Sequence, residues 1–156
     1  MATGMGFFQK LRSSALSRTS LLEELAVLTG HNHGLAERLR RHAEMCKFSN
    51  LRQGVAALAE SEAAHFKTLN SILSDNNVWA KLPEAPLHDG SSNWARLGGD
   101  LEVLGSLAAE LRLAAVKWES IDEAIAEVIR RISNEDDEHE SALRKLALKC
   151  DPQALD

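Results

Sequence analysis

The chain has 156 residues, 44% hydrophobic and 26% charged, an ordinary composition for one globular domain. Its net charge of −5 argues against a broad nucleic-acid footprint, and its two cysteines, Cys46 and Cys150, form no CxxC pair. No apolar run approaches the ~18 residues of a membrane span, and Met1 to Lys10 lack the pattern of a signal peptide, so a cytoplasmic protein without membrane or nucleic-acid partners is expected.

Residues 1–18 read as a weakly amphipathic arm in which Phe7, Phe8 and Leu11 form a helical turn or two against the main domain. A first helix is predicted from about 20 to 46, with Ser20 as its cap. Its stripe is Leu21, Leu25, Leu28, Asn32, Leu35, Leu39, His42 and Cys46, in the steps of three and four that mark a buried seam. Gly30 and Gly34 weaken it, at roughly 1 kcal/mol each in a helix interior, and predict a kink. A second helix is expected from about 50 to 74, capped by Ser49 or Asn50, with the stripe Leu51, Val55, Leu58, Glu62, His65, Leu69 and Ile72.

Residues 75–92 hold the turn signals, including Pro83, Pro86 and Gly90. That stretch exceeds the ~2–8 residues of a helix hairpin and predicts a crossover along the domain, making helices two and three parallel. Helix three is predicted over about 93–118, on Trp94, Leu97, Leu101, Leu104, Ala108, Leu111, Ala115 and Trp118. A flank of Gly98, Glu102, Gly105 and Ala109 lies beside it. Helix four follows Ser120 and runs to about 149, on Ile121, Ile125, Val128, Ile132, Asp136, His139, Leu143 and Leu146. Residues 19–150 thus read as an all-α four-helix bundle, with 151–156 as a tail.

Two of the four stripes carry an acid three residues before a histidine, Glu62 with His65 and Asp136 with His139. Such pairs share a helix face. Buried carboxylates are costly unless paired or bound to a cation, and a divalent metal compensates several at once. The competing reading is a hydrogen-bonded polar core layer. Asn32, Glu62, Glu102 and Asp136 lie at comparable depths and are expected to meet in one layer. His31 and His33 flank Asn32 and read as surface residues, although an unwound helix would let them ligate. His42 reads as a packed or capping histidine, and Glu135, Asp137, Glu138 and Glu140 as a solvated face.

The paired acid-x-x-His motifs, the four stripes and the long middle connection resemble the ferritin-like superfamily of di-iron carboxylate proteins, including ferritins, bacterioferritins and rubrerythrins. The resemblance covers about residues 20–150. The segments around Leu35 to Glu44, Trp94 to Glu102 and Glu138 to Arg144 are similar to small bacterial ferritin-like proteins of unsettled function. It implies a ferritin-like bundle with Glu62, His65, Asp136 and His139 as metal ligands, Glu102 as the acid of helix three, and Glu110 as its substitute. Asn32 stands where helix one should supply a glutamate, with His31 beside it. Two iron ions are implied, with one ion or manganese as alternatives. The implied chemistry is oxidation of ferrous iron by oxygen or peroxide. The chain has no tyrosine and hence no tyrosyl radical. Lacking CxxC pairs, it would take electrons from an external donor. The short stretch after helix four leaves no room for the fifth helix of cage ferritins, so a small homo-oligomer, a dimer, is expected. The alternative is a structural or partner-binding bundle that has lost the metal. A haemerythrin-like carrier fits only at His33 and Glu37, and ranks below both.

Overall fold

The computed structural model describes the backbone of residues 4–83 and 90–150, and side chains from residue 17 onward. It contains four helices, α1 (Gly4–Met45), α2 (Ser49–Asp75), α3 (Asn93–Trp118) and α4 (Glu123–Leu148), and no strand among the described residues. They form a four-helix bundle around one leucine-rich core, with Leu25, Leu39, Val55, Leu69, Leu104, Leu111, Ile129 and Leu143 fully buried. Burial of each such side chain contributes about 1.5–3 kcal/mol before the entropy cost of ordering it.

Short turns join α1 to α2 and α3 to α4, and packing is densest within these two hairpins. The α1/α3 and α2/α4 seams between the hairpins are thinner. Helices α3 and α4 start at side-chain caps: Ser92 accepts from the Ala95 amide at 3.1 Å and Asp122 from the Ile125 amide at 3.2 Å. Helix α2 begins after Phe48, which offers no side-chain cap, so neither Ser49 nor Asn50 has that role.

α1 departs from the expected helix in two ways. It starts at Gly4, so the backbone of 4–18 continues the helix and Ser20 is interior to it. The contacts expected of Phe7, Phe8 and Leu11 lie outside the described side chains, as the tail 151–156 lies outside the described residues. It also runs without a break through Gly30 and Gly34. The linker explains Gly30. The Lys81 amide donates to the Ala26 carbonyl at 2.9 Å, and a Cβ at Gly30 would collide with the Lys81 carbonyl. One turn on, a Cβ at Gly34 would meet Pro83 at 3.4 Å. Gly30 is therefore a bed for a neighbouring backbone, whose contacts offset its helix cost, whereas a methyl at Gly34 would make only an ordinary contact.

α3 is rotated slightly from the predicted register. Its interior face is Leu97, Asp100, Leu104, Leu107, Ala108, Leu111, Ala114, Ala115 and Trp118. Leu101 is half-buried, Trp94 is largely exposed, and Asp100 takes a core position. Among the described residues no helix is long and apolar enough to cross a membrane.

A candidate metal centre between α2 and α4

The two acid-x-x-His pairs meet across the α2/α4 seam. Glu62, His65, Asp136 and His139 each offer a ligand atom, and these atoms lie within 4.8 Å of one another. Glu62 and Asp136 are fully buried, His65 nearly so, and His139 is half-buried. The three-residue spacing puts each acid and its histidine on one helix face, and the apolar neighbours Leu58, Leu69, Ile132 and Leu143 turn both faces inward. The His65 and His139 rings stack with centroids 5.2 Å apart.

Each side chain has a distinct environment. Glu62 Oε1 accepts from His139 Nδ1 at 2.6 Å, and Oε2 accepts from Asn32 Nδ2 at 2.7 Å. Burial alone would push the Glu62 carboxyl up, but the hydrogen bond from His139 and the nearby His65 ring outweigh it and hold the group down at about 2. Asp136 has the opposite balance. Burial dominates and, with the charge of Glu62 nearby, pushes its carboxyl up to about 6 against the pull of His65. Neither Asp136 oxygen makes a hydrogen bond.

His65 bridges the site and the surface. Its Nε2 donates to Glu135 Oε2 at 2.7 Å. Its Nδ1 lies 3.0 Å from Asp136 Oδ1 and 3.6 Å from Glu62 Oε2 without a hydrogen bond to either. Burial disfavours the imidazolium, yet Asp136, Glu62 and Glu135 together raise it to about 10. Metal-ligating histidines commonly donate their other ring N–H to a carboxylate, which fixes the ring. Glu135 does this for His65.

This donor set fits a metal ion. Four buried polar atoms of these side chains and the adjoining Asn32 lack hydrogen bonds: Asn32 Oδ1, His65 Nδ1 and both oxygens of Asp136. An unmade bond at a buried polar atom costs about 1–3 kcal/mol, and a cation takes oxygen and imidazole lone pairs together. Two carboxylates and two imidazoles suit iron, manganese or zinc rather than calcium, which prefers six or more oxygens.

Of the other expected ligands, only Asn32 reaches the layer. Asn32 is buried in the layer and contributes its amide to Glu62, as an inward position on α1 requires. His31 is exposed, because the continuous α1 turns it away from the layer. Glu102 is also exposed, two residues past the inward Asp100 and two before the inward Leu104. It lines a groove between α1 and α3 with His31 and Glu110, and that trio does not bring its ligand atoms together. Inward positions on α3 are instead occupied by Leu104, Leu107, Ala108 and Leu111. The expected layer therefore has no acid from α1 or α3.

A second buried polar cluster crosses the other seam. Arg38 Nε donates to Asp100 Oδ1 at 2.7 Å, and His42 Nδ1 lies 2.6 Å from Asp100 Oδ2. Gly99 makes room for the guanidinium, since a Cβ there would stand 2.8 Å from Arg38 Nη2. The sequence reading placed His42 on the seam but missed its partners. Asp100 was readable from its place midway between Leu97 and Leu104, at steps of three and four. No protein-family model matches the chain, and no curated protein matches it.

Proposed function

We propose that the chain is a non-haem metal-binding protein of ferritin-like architecture, with Glu62, His65, Asp136 and His139 as its ligands. The observation that carries this reading is the buried Asp136 carboxylate, which makes no hydrogen bond and lies 3.0 Å from His65 Nδ1 inside a group of four donors. The architecture has support at the bundle ends. Arg18 of α1 bonds Asn76, just past α2, and Asp122, the cap of α4, and lies over Trp118 at the end of α3. Helices α2 and α3 then finish at the same end, which supports a long crossover between them.

One ion is favoured over the two that the resemblance implies, because α1 supplies a neutral amide and α3 supplies leucines at this depth. Iron or manganese held here would supply one-electron redox chemistry, with oxygen or peroxide as oxidant and electrons from an external donor. The chain's own residues have separable roles. Glu62 and Asp136 supply negative charge, Glu135 orients His65, Asn32 positions Glu62, and the surrounding leucines exclude water. The metal-free structural bundle is the second reading. It is favoured by the fact that both Glu62 oxygens and His65 Nε2 already have protein partners.

Elemental analysis of protein purified without a metal-affinity tag, with anaerobic ferrous and manganous titrations followed by melting temperature, separates the two. Bound metal and a raised melting temperature in wild type, absent in Glu62→Ala and His139→Ala, are expected. Superimposable melting curves with and without metal would leave the structural bundle. Faster oxygen or peroxide consumption than by free ferrous iron is the further expectation for the redox reading.

A further inference from the structure

The charge of the chain is unevenly placed. Residues 41–52 and 144–150 carry six basic side chains (Arg41, Lys47, Arg52, Arg144, Lys145 and Lys149) against one acid, Glu44, a net of +5. The chain as a whole is −5, so the remainder carries −10. The two segments share one end of the bundle. The close of α4 packs on the start of α2, where a Cβ at Gly54 would stand 2.9 Å from Leu146, and Arg52 ties the turn by donating to the Cys46 carbonyl at 2.8 Å. All six basic residues are exposed.

Apolar side chains project from the same end. Phe48, in the α1–α2 turn, is 74% exposed, Leu148 on the last turn of α4 is 53% exposed, and Met45 is 42% exposed. A ring and two long aliphatic chains at an apex are costly in water, whereas scattered single apolar residues need no explanation. Even with Asp151 and Asp156 of the tail counted, three positive charges remain in excess.

We propose that this end of the bundle docks on an anionic lipid surface. Phe48, Met45 and Leu148 enter the headgroup–acyl boundary, and the surrounding lysines and arginines meet acidic headgroups. A lipid interface accommodates both halves of the patch, because apolar burial and attraction to anionic lipid add there. A phosphate backbone satisfies the cations alone and leaves the two aliphatic chains in water. The contact is peripheral, in keeping with the lack of a spanning helix among the described residues. It departs from the expectation of no membrane partner, which weighed only total charge and long apolar runs.

The test is co-sedimentation of the full chain with phosphatidylcholine vesicles, alone or with about one-third phosphatidylserine. Binding to the anionic vesicles, weak binding to the neutral ones and loss of binding at high salt are expected. Lys47→Glu with Lys149→Glu should weaken binding at least tenfold. Phe48→Ser should weaken it several-fold at unchanged charge, while Phe48→Leu retains it. Lys117→Glu, a single charge reversal remote from this end on the last turn of α3, should leave binding intact. Binding that is absent, equal on neutral vesicles, or equally reduced by Lys117→Glu overturns the proposal. So does wild-type-strength binding by Phe48→Ser that duplex DNA abolishes, which would assign the patch to a polyanion.

Discussion

Two buried polar clusters cross the seams between the hairpins, and they balance charge differently. Between α1 and α3, the single carboxylate Asp100 has a permanent cation, Arg38, on one oxygen and His42 on the other. Between α2 and α4, two carboxylates face two histidines, and Asp136 has no hydrogen bond. The first cluster is complete within the chain. The second depends on protons or on a metal, because a histidine is a cation only while it holds its second proton. Similar burial thus yields a fixed joint in one seam and a chemically adjustable one in the other.

The largest expected effect breaks the fixed joint. Asp100→Ala leaves Arg38 buried without its partner and should cost about 3–5 kcal/mol in urea denaturation, whether or not metal is present. Next comes metal itself. If the α2/α4 cluster binds manganese or iron, metal at about a hundredfold excess over Kd should stabilise wild type by about 2.7 kcal/mol. Glu62→Ala should lose this shift, which is measured by melting temperature. Asp136→Asn should then separate the two clusters by size of effect. In metal-free protein it removes a carboxylate whose charge burial disfavours but also a partner of His65, so the change in stability should be far smaller than at Asp100 while metal binding is lost.

The pH profile sharpens the same contrast. Both His65, raised to about 10, and Asp136, raised to about 6, bind protons more tightly in the folded state. Their stabilisation is fully present below the unfolded values and is lost as pH rises through the folded ones. Glu62, held down at about 2, contributes stability above its ordinary value that is lost as pH falls. Metal-free protein should therefore weaken between pH 7 and 10, through His65, in urea denaturation series. Replacing His65→Gln should flatten that limb. Added metal should offset it, because ligands must shed protons to bind. The smallest effects are expected at His31→Ala and Glu102→Ala, exposed and outside the cluster, each within about 0.5 kcal/mol and without change in metal affinity.

Much of this contrast was legible in the sequence. The acid-x-x-His pairs stood out because polar residues at steps of three and four within an apolar stripe have few bland explanations. The four helices were legible for the same reason. Glu102 was misread because the flanking glycines suggested space for an ion, whereas the helix register turns it to solvent and turns Asp100 inward. Asp100 has the spacing of an inward position, but its role as an ion-pair partner is not legible, because Arg38 lies 62 positions away. Gly30 was read as a weakness for a similar reason: its value depends on Lys81, a contact that local periodicity cannot reveal.

The bond from Lys81 to Ala26 fastens the first part of the linker to the hairpin from which it departs. Residues 1–83 therefore already contain both helices of one hairpin and its attached strap, while 90–156 contain the other hairpin. A chain cut between residues 83 and 90 should yield two fragments able to find each other again, because each fragment keeps one densely packed hairpin intact. In such a split protein both polar clusters become contacts between molecules. Reassembly of the fragments would then report on the site directly, with Asp100→Ala impairing it under every condition and manganese or iron tightening it only while Glu62 and His139 are present.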